Sequence, residues 1–546
     1  PDKPEELRSI ALAEKQHYYA IGESIDPLDW QGGVTPQQIV RRIQQQQNLG
    51  NIILLHDAGG DRSATVAALP NIIHYYKKHG YRFATIGQLV HRPADELMPT
   101  APVQRAALLT DRSLVELLYY GQHTLSWLFL IGTLLAIMRV LFLAFLAIRQ
   151  KQQPVSSEVP YQGLVSVIVP AYNEELNAVH TVESLLASSY PDLEIVFVDD
   201  GSRDQTYNRV SQYFANNPRV QVLTKPNGGK ASALNLGLSQ ANGEVVVCID
   251  ADTQLLPDAI TRLVALFSDL TIGAVAGNVR VGNVHNWLTR FQSIEYTTSQ
   301  NFDRRAYGQL NCITVVPGAI GAFRRTSMLA VGGFTTDTLA EDCDLTVSLL
   351  RAGYVIKTCN EAIAVTEAPD TLRMLLKQRV RWCYGIMQVV WKHRDLLFQV
   401  KRTGLASRGL SWLALPSLVF FQFGFPLLTL VAEMQLVLSL FTGSWSLVLT
   451  YFIGFLAIDS VIAILAYRLE GRSLRPLYWL IPQRLTWPYL LFWVLIRSYA
   501  NAIRGEVASW GVLKRTGQVW LPDQSPETIG SVGVLNEPIT TEVRTS

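Results

Sequence analysis

The chain has 546 residues, 49% of them hydrophobic and 17% charged, with a net charge of +2. That length admits more than one domain, and the apolar balance favours a protein with both soluble and membrane-embedded parts. The near-neutral charge excludes the strongly basic surface of a nucleic-acid binder. All five cysteines fall between Cys248 and Cys383 without a C-x-x-C pair, so neither a zinc ribbon nor a redox motif is indicated, and a reduced, cytosolic domain is expected there.

The chain opens on Pro1 without a signal peptide, and reads as beginning inside a larger protein. Asp26-Pro-Leu-Asp29-Trp30 precedes an apolar strand, Asn51 to Leu55, that ends in His56-Asp57. A histidine at a strand end beside an aspartate invites acid/base chemistry. Residues 94–123 read as a linker. Leu125 to Ile148 is long enough, at about 1.5 Å per residue, to cross a bilayer core of about 30 Å. We assign the span to 124–149. Its one charge is Arg139, for which Asp459 is the expected partner at similar depth. Arg149 and Lys151 follow it, which places the next domain in the cytosol.

Residues 160–371 alternate apolar, β-branched runs (Leu164–Val169, Glu194–Val198, Val220–Thr224, Glu244–Ile249) with amphipathic stretches such as Glu174 to Ser188. Fully apolar strands between helices predict an α/β domain with a mostly parallel sheet covered on both faces. Ligands bind such sheets at the carboxyl ends of the strands. Interfacial helices are expected over 372–405. Residues 408–501 read as further spans at about Leu410–Ser439, Trp445–Tyr467 and Leu477–Ala500, and 502–546 as a basic segment and disordered tail.

The strand ends carry the chemistry. Tyr172 and Glu174, in Pro170-Ala-Tyr-Asn-Glu174, follow the first strand, where the ring can stack on a base and the carboxylate accept from it; a plain strand-to-helix turn is the alternative. Asp199-Asp200-Gly201-Ser202 ends the second strand, and adjacent carboxylates there are costly unless bound, or serve as caps. Lys230, in Asn227-Gly-Gly-Lys230, stands at a glycine-rich helix entrance suited to phosphate. The loop departs from the Walker pattern, so ATP hydrolysis is disfavoured. Asp250-Ala-Asp252 puts two carboxylates on one side of an extended segment, able to share Mg²⁺ or Mn²⁺ with a diphosphate. Glu341-Asp342 opens a helix; one can accept a proton from an acceptor hydroxyl, and both also suit the helix dipole. Gln378, Arg381 and Trp382 share a helix face, where a guanidinium can bind diphosphate and an indole can stack on sugar.

In this order the motifs resemble the processive, inverting family 2 glycosyltransferases, the group that includes cellulose, chitin, hyaluronan and poly-N-acetylglucosamine synthases. The resemblance covers roughly Gly163 to Gly517. It implies a GT-A-like nucleotide-sugar-binding domain beneath transmembrane helices, a UDP-sugar donor, a growing polysaccharide acceptor and a divalent cation. It further implies that Asp200 contacts the uridine, Asp252 the metal and Asp342 serves as the base, with Glu341, Gln378, Arg381 and Trp382 shaping the acceptor and diphosphate site. The usual Thr before Glu-Asp is Ala340 here. The family's localisation is a multi-pass inner or plasma membrane, with the catalytic domain cytoplasmic.

Residues 1–93 resemble the back half of a polysaccharide deacetylase. There His56 matches the general acid, and Asp29-Trp30 supports the pocket. The Asp-Asp and H-x-x-x-H metal motifs of that family do not precede Asp26, so this part is expected to be an inactive partial (β/α) domain, facing outside the membrane. The fusion points to UDP-N-acetylglucosamine as donor. Alternatives are a glucan or mannan synthase of the same family and, in another class, a non-catalytic membrane scaffold or export subunit.

Overall fold

The computed structural model describes residues 21–97, 105–151, 161–399, 408–427, 445–505 and 517. The chain divides into two compact units, Pro1–Glu116 and Leu117–Ser546. In the first, helices Pro36–Gln46 and Ser63–Lys78 bury Ile39, Ile43, Ala68 and Ile72 against Ile25 and Tyr76. Thr35 starts the first helix through a capping box with Gln38. The strand expected at Asn51–Leu55 is reduced to one isolated parallel bridge, Ile25 to Ile53.

The second unit is built on an eight-stranded sheet. The predicted runs become β1 (Val165–Ala171), β2 (Leu193–Asp199), β3 (Val220–Thr224) and β4 (Val245–Cys248). Four more strands follow: β5 (Thr253–Leu255), β6 (Ile272–Val281), β7 (Gly321–Arg324) and β8 (Val355–Thr366). The order is β3-β2-β1-β4-β7-β6-β8-β5. β1 to β4 pair in parallel, as expected. β7, however, runs antiparallel between β4 and β6, and β5 antiparallel to β8, so the sheet as a whole is mixed. Between β6 and β7 lie the helical run Trp287–Gly308 and the segment 309–320, part of which lines a cavity.

Side chains of β1 and β4 alternate between two cores. Val165, Val167, Val169, Val245 and Val247 join one, while Ile168, Val246 and Cys248 join the other. Every β1 residue is buried, which is why the strand reads as an uninterrupted apolar run.

Trp127–Lys151, Leu410–Leu427 and Phe452–Leu469 are the described helices long and apolar enough to cross a membrane. The helix Leu480–Arg504, expected as a further span, is more polar; it carries Gln483, Arg484, Arg497 and Asn501, and packs on helix Leu372–Lys392. Residues 428–439 of the expected Leu410 span, and nearly all of 506–546, lie outside the described residues. The expected Arg139–Asp459 pair is not formed. Arg139 donates to Asp303 (2.9 Å), Tyr307 (3.1 Å) and Ser417 (3.0 Å), while Asp459 pairs with Arg484 at 3.2 Å. The carboxylate partner of Arg139 came from the helix Phe302–Gly308.

Candidate active site

Three parallel strands end on one rim. In register, Ala171 of β1 meets Asp199 of β2, and Ile168 meets Cys248 of β4. Strands lie about 4.8 Å apart, so the Asp199-Asp200 and Asp250-x-Asp252 pairs stand roughly 10 Å apart across β1. Beyond the second pair opens a cavity of about 810 Å³. Lys230, Asp250, Asp252, Glu341, Asp342, Gln378, Arg381 and Trp382 all line it. The structure thus gathers side chains from four separate motifs around one space.

Tyr172, Glu174, Asp199 and Asp200 are not in that lining. Asp200 is fully buried, and its carboxylate accepts from Lys225 Nζ (2.7 Å), Gly228 N–H (3.0 Å) and Gly229 N–H (2.7 Å). Asp199 Oδ2 accepts from Ser202 N–H and Thr224 Oγ1. The protein itself satisfies Asp200 but leaves Asp199 Oδ1 buried without a partner. The two motifs work together: Asp200 clamps the loop that delivers Lys230. Gly201 makes the clamp possible, with φ +73° and a position where a Cβ would meet Asn227 N at 2.8 Å. Asn173 ties the β1 end to the loop after β2 by accepting from Arg203 N–H at 2.8 Å. The Glu174 N–H donates to Thr206 Oγ1 at 2.8 Å.

Lys230 Nζ bridges Asp250 Oδ1 (2.7 Å) and Glu341 Oε1 (3.1 Å). Burial alone lowers an ammonium's pKa, but Asp250 and Glu341 more than offset it and hold Lys230 above the ordinary lysine range. Asp342 moves the other way. Burial, then the neighbouring Glu341, push its carboxyl up to about 6, with Lys230 opposing. Its Oδ1 accepts the Cys343 N–H at 2.8 Å, at the start of helix Glu341–Ala352. That helix is pinned to the end of helix Leu372–Lys392 by Asp344, which accepts from His393 Nε2 (2.9 Å) and Lys392 Nζ (2.8 Å). The two helices carrying Asp342 and Gln378-x-x-Arg381-Trp382 are so held in one geometry.

Asp252 is 5% exposed, and its Oδ1 accepts from Thr253 (3.2 Å) and Thr366 (3.3 Å). With Asp250 it offers two hard oxygen donors on one wall, a set that suits Mg²⁺ or Mn²⁺ when a diphosphate completes the shell. Among the described residues no group of three His, Cys, Asp or Glu side chains could hold a metal. The two carboxylates fit such an ion as two of its roughly six ligands.

Several lining residues escaped the sequence reading. Glu295, Tyr296, Ser299, Gln300, Asp303, Arg304 and Tyr307 form a polar stripe along one helical run, Trp287 to Gly308, whose middle turn, Tyr296–Asn301, is a π-helix. Their spacing of three and four was the available signal. Arg379 grips Glu295 with two bonds (3.0 and 2.6 Å) and lies 4.6 Å over the Trp382 ring, fixing the indole. The cavity extends to Phe421 and Phe425 of the helix Leu410–Leu427, and to Arg139. In the first unit, His56 Nδ1 lies 2.8 Å from Asp29 Oδ1, and Asp29 also accepts the His56 N–H (2.9 Å) and the Thr65 hydroxyl (2.9 Å). Trp30 is exposed beside them.

Residues 166–330 match the model for glycosyl transferase family 2. The chain is 33% identical over 243 residues to the poly-beta-1,6-N-acetyl-D-glucosamine synthase of Staphylococcus epidermidis, covering 44% of this chain and 58% of that protein. It is 33% identical over 239 residues to the protein of the same name from Staphylococcus aureus (strain COL), with the same shares. The chain therefore spans 58% of the length of these curated relatives. A solved structure, the mannosyltransferase PcManGT from Pyrobaculum calidifontis in complex with GDP-Man and Mn²⁺, covers 70% of this chain and 100% of its own, with a TM-score of 0.52 and 22% identity. That likeness is one of fold.

Proposed function

We propose that this chain, whose residues 166–330 form a family 2 glycosyltransferase domain, polymerises a β-linked polysaccharide from a UDP-sugar at the cytosolic face of a membrane and passes the product across it. The observation that carries the reading is the single cavity. It holds a base candidate, Asp342, beside Lys230, Asp250 and Asp252 at the sheet end, and reaches Phe421 and Phe425 on a membrane-length helix at the other.

In this reading Asp342 accepts the proton of the acceptor hydroxyl as that oxygen attacks the sugar's anomeric carbon from the face opposite the leaving group, so the configuration inverts. A carboxyl near 6 is ionised at neutral pH yet basic enough to take the proton. Lys230 and Arg381 meet the charge on the departing diphosphate. Trp382, immobilised by Arg379, offers its face to the acceptor sugar. Asp250 and Asp252 would hold Mg²⁺ or Mn²⁺, whose charge offsets that of the leaving UDP. The named relatives support N-acetylglucosamine as the sugar and a β-1,6 linkage. Three membrane-length helices support a multi-pass membrane location. The Asp29–His56 pair is the observation a deacetylase-like reading of the N-terminal unit rests on.

The test is UDP release and polymer formation by membranes containing the chain, supplied with UDP-N-acetylglucosamine or UDP-glucose. Asp342→Asn should lower release about 10²- to 10⁴-fold while leaving UDP binding in place. Equal release from both chains would remove the catalytic reading in favour of a scaffold. Long product from UDP-glucose alone would reassign the sugar.

A further inference from the structure

Asp250 has two claimants. Lys230 Nζ sits 2.7 Å from its Oδ1 and 3.1 Å from Glu341 Oε1. The ammonium is walled in: its side chain is 15% exposed, and a Cβ on Gly318 would come within 2.6 Å of Nζ and 3.7 Å of Asp250 Oδ1. Lysine and carboxylate are thus pressed together against bare backbone. The second claimant is the divalent cation, for which Asp250 and Asp252 are the donors on this wall. Two carboxylates are a usual protein contribution for Mg²⁺, which draws its other ligands from phosphate and water. A dication approaching Asp250 meets an ammonium already there, and like charges repel strongly where water is scarce. A diphosphate resolves the conflict, because its oxygens serve the cation and also accept from the ammonium.

We infer that Lys230 makes divalent-cation binding conditional on the nucleotide diphosphate: the ammonium holds Asp250 until diphosphate oxygens take it over, so cation and UDP load as a coupled pair. The inference rests on reading this cavity as the UDP-sugar site. The coupling is reciprocal, so the cation tightens UDP by the same factor as UDP tightens the cation.

The experiment measures Mn²⁺ binding to the full chain in detergent by the electron paramagnetic resonance of free Mn²⁺, alone, with uridine and with UDP, corrected for Mn²⁺ held by free UDP. The unaltered chain should bind Mn²⁺ at least about tenfold more tightly with UDP than alone, and uridine, lacking phosphates, should change nothing. Lys230→Met should bind Mn²⁺ alone about tenfold more tightly than the unaltered chain. Should that variant fail to fold, Lys230→Gln makes the same test, since it removes the ammonium while keeping a polar side chain; Mn²⁺ alone should again tighten. If neither variant that folds binds Mn²⁺ alone more tightly, the inference is overturned while the UDP site stands. If the unaltered chain binds no UDP, the reading of the site falls and the inference with it.

Discussion

Removing the charge of Glu341 should move the acid limb of the pH profile. Asp342 sits at about 6 because of burial first and Glu341 second, against the pull of Lys230. A base with that pKa is about 90% ionised at pH 7 and about 10% at pH 5, so kcat/KM should fall about tenfold for each unit below 6. A carboxylate near its ordinary value of about 4 would still be about 90% ionised at pH 5. Glu341→Gln removes an anion that disfavours the Asp342 carboxylate and leaves Lys230 in place, so both effects lower the pKa. A contribution of about one unit, equivalent to about 1.4 kcal/mol, would bring the midpoint to about 5 and raise relative kcat/KM at pH 5 about fivefold. The assay is UDP release by the solubilised chain from about pH 5 to about pH 8, each protein normalised to its own plateau, because Glu341 lines the site and its loss also lowers the plateau. A midpoint that stays put or rises would refute the electrostatic account. An acid limb near 4 in the unaltered chain would remove Asp342 as the titrating base.

Gly201→Ala places a side chain at φ +73° against backbone of the Lys225–Asn227 loop, and should cost about 1–3 kcal/mol and weaken UDP binding, read by thermal melting and UDP titration. A double-mutant cycle of Arg139→Gln with Asp303→Asn should show a coupling of about 0.5–3 kcal/mol in denaturation, whereas Arg139→Gln with Asp459→Asn should be additive. Asp29→Ala strips the acceptor from the His56 N–H, the His56 ring and the Thr65 hydroxyl. Its expected cost is about 1–3 kcal/mol in the N-terminal unit, seen as faster amide exchange in helices Pro36–Gln46 and Ser63–Lys78.

Much of the site was legible because strand ends and helix starts are local events. A β-branched run announces a doubly covered strand, and polar residues that follow it must lie at the sheet's rim; that reasoning reached Lys230, Asp250 and Asp252. Glu341 and Asp342, at a helix start, were marked out by the resemblance in motif order, and all five line one cavity. The i, i+3, i+4 spacing did the same for Gln378, Arg381 and Trp382. What no local pattern carries is the choice of partner among distant segments. Asp200 looked outward in the motif, yet in the fold its oxygens are taken by Lys225, Gly228 and Gly229, because the loop after β3 packs over the end of β2. Arg139 found Asp303 rather than Asp459, and Arg379, unmarked in the motif, became the residue that holds Trp382. The antiparallel insertion of β7, which carries Gly318 to the floor beneath Lys230, likewise depends on strand pairing between segments far apart in the chain. Hydrophobic periodicity and motif order are properties of a few neighbouring residues, and the sequence by itself determined those. Which buried charge meets which is settled by the packing that excludes water around it, and that was decided only by the tertiary structure.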